Sequence, residues 1–134
     1  LFRSVTTPRT LPRRVEPVLL PLLREEFPDV VFSSIRSRDN PPRECVIIGE
    51  PGQKATPVSQ YVRLRVSVWV RRDDGAGDID AAQKLAAGIE SYLTGPHPPR
   101  PVVTIGHESG PMRMTDENGC LMAYLVLLLT VETN

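Results

Sequence analysis

The sequence is poor in the residues that catalytic and metal sites most often use. Its 134 residues include two cysteines, two histidines and 5% aromatic residues. No segment has the ~18 consecutive apolar residues that a membrane-spanning helix needs. The N-terminus lacks an apolar signal core, so we expect synthesis in the cytoplasm. Cys45 and Cys120 stand 75 positions apart without a partner at metal-ligand spacing. Two buried free thiols are the default expectation, and a disulfide between them is the alternative.

The few candidate catalytic groups lack the arrangement that catalysis requires. His97 lies in a proline-rich segment, and His107 is followed directly by Glu108 and Ser109. Members of a catalytic triad converge from separate elements, whereas adjacent residues of a strand point to opposite sides. The acidic residues between positions 73 and 80 lack the ligand spacing of a calcium loop and fit a turn before a helix N-terminus. We therefore predict that the chain is not an enzyme and has no cofactor and no metal site.

Charge, by contrast, is plentiful and unevenly distributed. The chain has 14 arginines and two lysines, and arginine suits forked ion pairs at interfaces. Residues 1–72 hold 13 basic and 7 acidic residues, a net charge of +6, whereas residues 73–134 hold 3 basic and 9 acidic residues, a net charge of −6. Either the fold mixes the two halves, or one side of the subunit is basic and another acidic. A subunit of the second kind would attract its own copies head to tail, the contact that closes into rings.

Composition and periodicity predict one domain preceded by an arm. Residues 1–13 contain three arginines, two prolines and no acidic residue, and we expect a flexible basic arm there. Residues 14–134 are expected to form a single domain. Apolar spacing predicts two helices, the first kinked by its prolines or beginning later, at 14–27 and 79–93. Period-two patterns and turn residues predict five strands, at 30–36, 44–49, 61–70, 102–105 and 121–131.

The order of these elements indicates the fold class. The succession α-β-β-β-α-β-β favours an α+β fold, in which two helices pack against a mostly antiparallel sheet. The segments 50–59 and 106–119 are rich in proline, glycine and polar residues, so we expect them to be loops, with a hairpin tip as the alternative for the second. The last strand is apolar on both faces, which indicates cover by the helices on one side and by something else on the other.

The strand 61–70 carries the clearest pattern. Its even-numbered residues are apolar and predict a core face, while the odd-numbered ones include Arg63, Arg65 and Trp69. Cations mixed with aromatic rings also occur in single-strand nucleic-acid binders. However, the chain is neutral, with a pI of about 6.9, which favours a contact between subunits. The candidate interface residues are Arg63, Arg65, Trp69, Arg71, Arg72, Asp73, Asp74, Asp116 and Glu117.

This succession resembles the tail-terminator (tail-completion) family of lambda-like, long-tailed bacteriophages. The resemblance covers residues 14–133 and rests on the arginine-bearing strand 61–70 and the amphipathic helix 79–93. It also includes Ser109-Gly110-Pro111 and the closing strand from Ala123 to Leu127. The similarity is a succession of elements with loose local likeness. Other neck and head–tail connector proteins of these viruses can look much alike.

The resemblance implies a structural virion protein. Members of the family form hexameric rings on the last ring of tail-tube protein, end tube growth and offer a surface to which the filled head joins. It implies contacts with the tail-tube protein and head–tail connector proteins, and a lumen that DNA crosses without sequence-specific binding. The expected location is the head-proximal end of the virion tail, after assembly in the host bacterial cytoplasm. It also implies that the polar face of 61–70 and the segments 50–60 and 106–119 make contacts. The alternatives are another head–tail connector or neck protein, or a single-strand nucleic-acid-binding module.

Overall fold

In a computed structural model, which describes residues 13–133, two helices and five strands follow one another along the chain. In chain order they are α1 (Glu16–Glu26), β1 (Val31–Ser33), β2 (Arg43–Thr56), β3 (Ser59–Val70), α2 (Ile79–Leu93), β4 (Val102–Thr115) and β5 (Leu121–Glu132). The expected α+β class is confirmed. The bounds of the elements differ from the expected ones, most of all in β2 and β4, which are longer than expected. The predicted arm at 1–13 lies, apart from Arg13, outside the described residues.

The strands form one sheet with the order β1-β2-β3-β5-β4. The expected mostly antiparallel sheet is wrong, because β1 runs parallel to β2, with Val31 opposite Glu44, and the sheet is mixed. The connection 34–42 therefore has to return to the end of the sheet at which β1 begins. It cannot act as a hairpin turn, since parallel neighbours need a crossover. The remaining pairings, β2 with β3, β3 with β5 and β4 with β5, are antiparallel.

Most of both segments expected to be loops is strand, and only 57–58 and 116–119 form turns. β2 continues to Thr56 and meets β3 through the two-residue turn Pro57–Val58, while β4 continues to Thr115. Local proline and glycine content misled the prediction because both segments lie at edges of the sheet. A proline at an edge removes no hydrogen bond from the ladder when its nitrogen faces outward. Register shifts beside Pro51 and Pro111 accommodate the irregular residues.

One face of the sheet packs against both helices and holds the main core. α1 contacts β1 and β2, and α2 contacts β3, β5 and β4. The even-numbered residues of β3 and the odd-numbered residues of β5 supply fully buried side chains, among them Leu64, Val66, Leu125 and Leu127. The core face predicted from the alternation in β3 is confirmed. The side chains of α2 that complete this core are Ala82, Leu85, Ala86, Ile89 and Leu93.

Local chemistry sets where the helices begin. Asp78 caps α2, its carboxylate accepting a hydrogen bond from the backbone N–H of Ala81 at 3.1 Å. α1 begins at Glu16, two residues later than expected, with a proline in its first turn. Gly49 lets this helix approach β2, since a Cβ there would meet Val15 at 3.0 Å. No helix among residues 13–133 is long and apolar enough to cross a membrane.

Candidate assembly surfaces

Seven of the nine candidate interface residues meet at one end of the sheet, here called the turn end. β3 finishes there and β5 begins there, because the two strands are antiparallel neighbours. The loop after β3 and the turn between β4 and β5 therefore lie side by side. A Cβ on Gly77 would meet Leu121 at 3.3 Å, which shows how closely they approach. The residues brought together are Trp69, Arg71, Arg72, Asp73, Asp74, Asp116 and Glu117.

The loop after β3 is fixed by its own backbone. Arg71 bridges Gly77, and the backbone N–H of Arg72 donates to the carbonyl of Ala76 at 2.8 Å. The carboxylate of Asp74 accepts the N–H of Ala76 at 2.9 Å. The side chains of Arg72, Asp73 and Asp74 are exposed. The acidic run thus serves a turn and a helix cap, as expected. Within residues 13–133 no group of three His, Cys, Asp or Glu side chains is arranged to hold a metal ion.

Trp69 lies on the open face of the sheet, the face away from the helices, and is almost fully covered. Its side chain is 7% exposed, and the guanidinium of Arg36 lies 4.0 Å from its ring centroid. The indole Nε1 donates to Oδ2 of Asp116 at 3.0 Å. A ring stacked and hydrogen-bonded in this way has no free surface for a nucleotide base. Trp69 therefore joins the connection 34–42 to the β4–β5 turn.

Asp116 is held in its charged form by several donors. Its other carboxylate oxygen accepts the backbone N–H groups of Asn118 and Cys120, both at 2.9 Å. Burial alone would raise the pKa of Asp116. The hydrogen bonds from Cys120, Trp69 and Asn118, together with the charge of Arg36, outweigh burial and hold the pKa below its usual value. The carboxylate thus shapes the turn between β4 and β5 while ionised.

A buried carboxylate anchors the connection 34–42. Glu44 is 0% exposed, and it accepts hydrogen bonds from Arg36 Nη1 at 2.8 Å and from the backbone N–H of Ser37 at 2.6 Å. Sequence reasoning missed both Arg36 and Glu44, because their pairing depends on the parallel placement of β1 and β2. The available signal was a single acidic residue at the start of an otherwise apolar strand.

Arg63 and Arg65 lie in the middle of the open face. Arg63 Nε pairs with Glu108 Oε2 at 2.9 Å, and Arg65 Nε pairs with Glu50 Oε1 at 2.7 Å. All four side chains are at least 32% exposed, so these are surface pairs. Within the chain the two arginines thus use carboxylates of β4 and β2. Contacts to a neighbouring subunit, for which both arginines were selected, stay a prediction.

The two arginines also help to explain the apolar outer face of β5. Arg65 stands opposite Val126 and Arg63 opposite Leu128 in the antiparallel register. Val126 is 5% exposed although it faces away from the helices. Long arginine side chains cover apolar neighbours with their methylene groups while the guanidinium stays in water. The two arginines and their ion pairs therefore cover part of the outer face of β5, for which the sequence had indicated a cover other than the helices.

The topology keeps the two oppositely charged halves of the chain apart. β1, β2 and β3 occupy one side of the sheet with α1, while β5 and β4 occupy the other side, and α2 packs against β3, β5 and β4. Among the described residues, 13–72 hold 11 basic and 7 acidic residues, a net charge of +4, and 73–133 hold 3 basic and 9 acidic residues, a net charge of −6. Two of the acids on the basic side, Glu16 and Glu44, are buried. The net charges of the two halves therefore lie mainly on opposite sides of the sheet, while the ion pairs Arg36–Asp116 and Arg63–Glu108 join the halves.

His107, which Glu108 and Ser109 follow in the sequence, forms its hydrogen bond with a different residue. His107 Nε2 lies 2.7 Å from the carbonyl oxygen of Gly110 and donates to it. The carboxylate of Glu108 pairs with Arg63 instead. His97 lines a shallow surface depression with Leu22, Tyr92 and neighbouring prolines.

The two cysteines lie in different clusters and are both free. Cys45 is buried in the main core under the helices, where burial raises the pKa of its thiol far above the usual value. Cys120 is half-buried and packs against the small cluster of Val46, Trp69 and Met122 on the open face. The default expectation of free thiols is confirmed, and the expectation that both are buried holds for Cys45 alone.

Comparison of the chain with protein-family models, curated proteins and solved structures finds no match.

Proposed function

We propose that the chain is a structural subunit of a bacteriophage tail. Copies of it would form a hexameric ring that caps the tail tube, ends tube growth and offers the surface to which the head attaches. Its partners would be the tail-tube protein and head–tail connector proteins, with DNA crossing the lumen without sequence-specific contacts. Its place is the head-proximal end of the tail, after assembly in the bacterial cytoplasm. The family and the ring size come from the sequence resemblance alone.

The observation that carries the proposal is the separation of charge across the sheet. A basic side and an acidic side on one domain make a head-to-tail contact between copies attractive, and such a contact generates a closed ring when the rotation between copies closes. Six charged candidate residues at the turn end, Arg71, Arg72, Asp73, Asp74, Asp116 and Glu117, add a surface of mixed sign. Of the groups that could have suggested catalysis, His107 is hydrogen-bonded to Gly110 and Glu108 is paired with Arg63.

A nucleic-acid-binding module is the rival reading, favoured by one observation. Arg63, Arg65 and Tyr61 are exposed on the same face, and Tyr61 is 40% exposed. Against it, Trp69 is covered by Arg36, and both arginines already have carboxylate partners. The rival predicts binding to single-stranded oligonucleotides that weakens steeply with salt. Oligonucleotide affinity at low salt without ring assembly would favour the rival.

Light scattering of the purified chain at moderate and high salt tests assembly. We expect a multimer at moderate salt that dissociates partly at high salt, because screening weakens contacts between exposed charges. Arg63→Ala and Arg65→Ala should each weaken the multimer. A ring that forms equally well with both substitutions would remove these arginines from the interface and leave the ring itself intact.

A further inference from the structure

The open face of the sheet is divided into two unlike halves. The half farther from the turn end carries the ion pairs of Arg63 and Arg65. The half at the turn end is mainly apolar. Its side chains lie in rows of cross-strand neighbours that extend over β2, β3, β5 and β4. One such row follows the register Val46, Ser67, Tyr124, Met112. Three side chains remain well exposed, Met112 and Met114 at 40% each in this half and Ile48 at 44% at its border, opposite Arg65. We call this half the apolar patch, with Val46, Ile48, Trp69, Met112, Met114, Met122 and Tyr124 as its members.

An apolar patch of this kind on a soluble domain indicates a contact surface. Methionine side chains adapt their shape to a partner, which suits a surface that must receive another protein. Part of the patch is concave, a depression of about 320 Å³ whose floor includes Val46, Ile48 and Trp69. Asp116 and Glu117 stand at its rim. The cations at the patch are paired within the chain, Arg36 with Glu44 and Asp116, and Arg65, opposite Ile48, with Glu50. Glu117 is exposed at the rim and forms no ion pair within residues 13–133, so it favours a basic partner.

The turn between β2 and β3 has the complementary features. Val58 is 65% exposed at its tip. Its backbone is fixed by hydrogen bonds from the N–H of Val58 to Thr56 Oγ1 at 3.2 Å and from the N–H of Thr133 to the carbonyl of Val58 at 2.8 Å. Lys54, nearby on β2, is exposed and forms no ion pair within residues 13–133. An apolar tip with an adjacent cation complements an apolar depression with an acidic rim. Because the backbone of the tip is already fixed, little conformational entropy is lost when it binds.

The turn cannot reach the patch of its own chain. Trp69 and Val58 lie at opposite ends of β3, eleven residues apart, and an extended strand rises roughly 3.3 Å per residue, which separates them by roughly 35 Å. A contact between turn and patch must therefore join two copies. Since it uses different surfaces on the two copies, it can propagate from one subunit to the next.

We propose that the apolar patch of one copy receives the Pro57–Val58 turn of the next copy. Val58 fills the depression lined by Val46, Ile48 and Trp69, and Lys54 faces Glu117. This contact rests on the proposed ring and names one pair of surfaces within it. It also assigns a role to both segments, 50–60 and 106–119, that the sequence resemblance implicated in contacts.

The test uses two variants that each disable one side of the contact. Val58→Asp places a charge on the tip, and Ile48→Asp places a charge in the patch, at positions exposed enough to leave the fold intact. Each variant alone should be monomeric, with assembly weakened by at least about tenfold. An equimolar mixture should form a dimer and nothing larger, because only one productive contact remains. Sedimentation velocity measures the species, and circular dichroism checks the fold.

A charge exchange supplies the second arm. Lys54→Glu and Glu117→Lys should each weaken assembly, and the double variant should regain at least part of the loss. Val103→Asp is the matched control, since Val103 is 48% exposed on β4 outside both surfaces, and it should assemble like the unmodified chain. If the unmodified chain assembles and both aspartate variants do so equally well, this contact is wrong while the ring stands. If the unmodified chain stays monomeric under every condition, the ring is wrong, and this contact fails with it.

Discussion

The two faces of the sheet are built by different means. On the helix-covered face, successive apolar residues such as Leu125, Leu127 and Leu129 are all 0% exposed. On the open face, β2, β3 and β4 carry ion pairs, a buried carboxylate and a tryptophan stacked on an arginine. Stability of the domain therefore depends mainly on the first face, because apolar burial is the dominant favourable contribution to folding. The second face positions the connection 34–42 and the β4–β5 turn, and its exposed part is free for a partner.

The largest expected effect is a difference in the free energy of unfolding between substitutions of two neighbouring leucines, one on each face of the sheet. Leu127→Ala, under the helices, should lower the free energy of unfolding by roughly 3 to 4 kcal/mol, because it leaves a cavity in a closed core. Leu128→Ala, half-buried on the open face, should cost about 1 kcal/mol, since water and side chains can fill the space. Urea unfolding monitored by circular dichroism measures both. Equal losses would mean that the open face is packed as closely as the core.

The second effect concerns the buried pair on the open face. Arg36→Ala should cost roughly 2 kcal/mol, because it leaves the buried carboxylate of Glu44 without its cation. It should also shift the emission of Trp69, the only tryptophan of the chain, by uncovering the ring. Arg38→Ala, an exposed neighbour in the same connection, is the control and should change stability by less than about 0.5 kcal/mol. An unchanged emission spectrum in Arg36→Ala would contradict the stacking.

The third effect depends on pH. The folded-state pKa of Asp116 is lowered, so its charged form stabilises the fold above the ordinary carboxyl pKa, and this contribution is lost as pH falls through the folded pKa. Asp116→Asn should therefore be less stable than the unmodified chain at pH 7, with a difference that shrinks as the solution is acidified. A double-mutant cycle with Trp69→Phe isolates the indole hydrogen bond. A coupling between the two residues that stays the same from pH 7 down to a pH at which the folded carboxyl is protonated would refute this account of Asp116.

The smallest effect is expected at the exposed ion pairs. Arg63→Ala and Arg65→Ala should each change the stability of the monomer by less than about 1 kcal/mol, as exposed pairs do. Chemical denaturation at low protein concentration isolates this effect from assembly. Losses of several kcal/mol would show that these arginines belong to the folding of the domain and are a poor choice for probing an interface.

The buried residues of the helix-covered face could be predicted from the sequence, whereas the arrangement of the open face could be predicted only in part. Alternation in β3 and helical spacing in α2 report directly which residues are buried, because each follows one local period. The pairing of Glu44 with Arg36 depends on a parallel strand pair that no local pattern encodes. The segments 50–59 and 106–119 were misread for a related reason. Their prolines and glycines are local signals for loops, whereas their strand pairing is decided by β3 and β5, which are distant in sequence.

The candidate site divides in the same way. Alternation correctly placed Arg63, Arg65 and Trp69 away from the core. It could not indicate that Trp69 is covered by Arg36, or that Glu50 and Glu108 are the nearest partners of the two arginines. The charge difference between the halves was visible in the sequence. Its survival in space depends on the order β1-β2-β3-β5-β4, which keeps the N-terminal strands together.

The central claim is that a basic side and an acidic side of one domain assemble head to tail into a ring. Electron microscopy of the purified chain at moderate salt, at increasing protein concentration and with or without tail tubes, tests it most directly. The account predicts rings with a central hole that become fewer as salt is raised. Particles that remain monomeric under all of these conditions would contradict it.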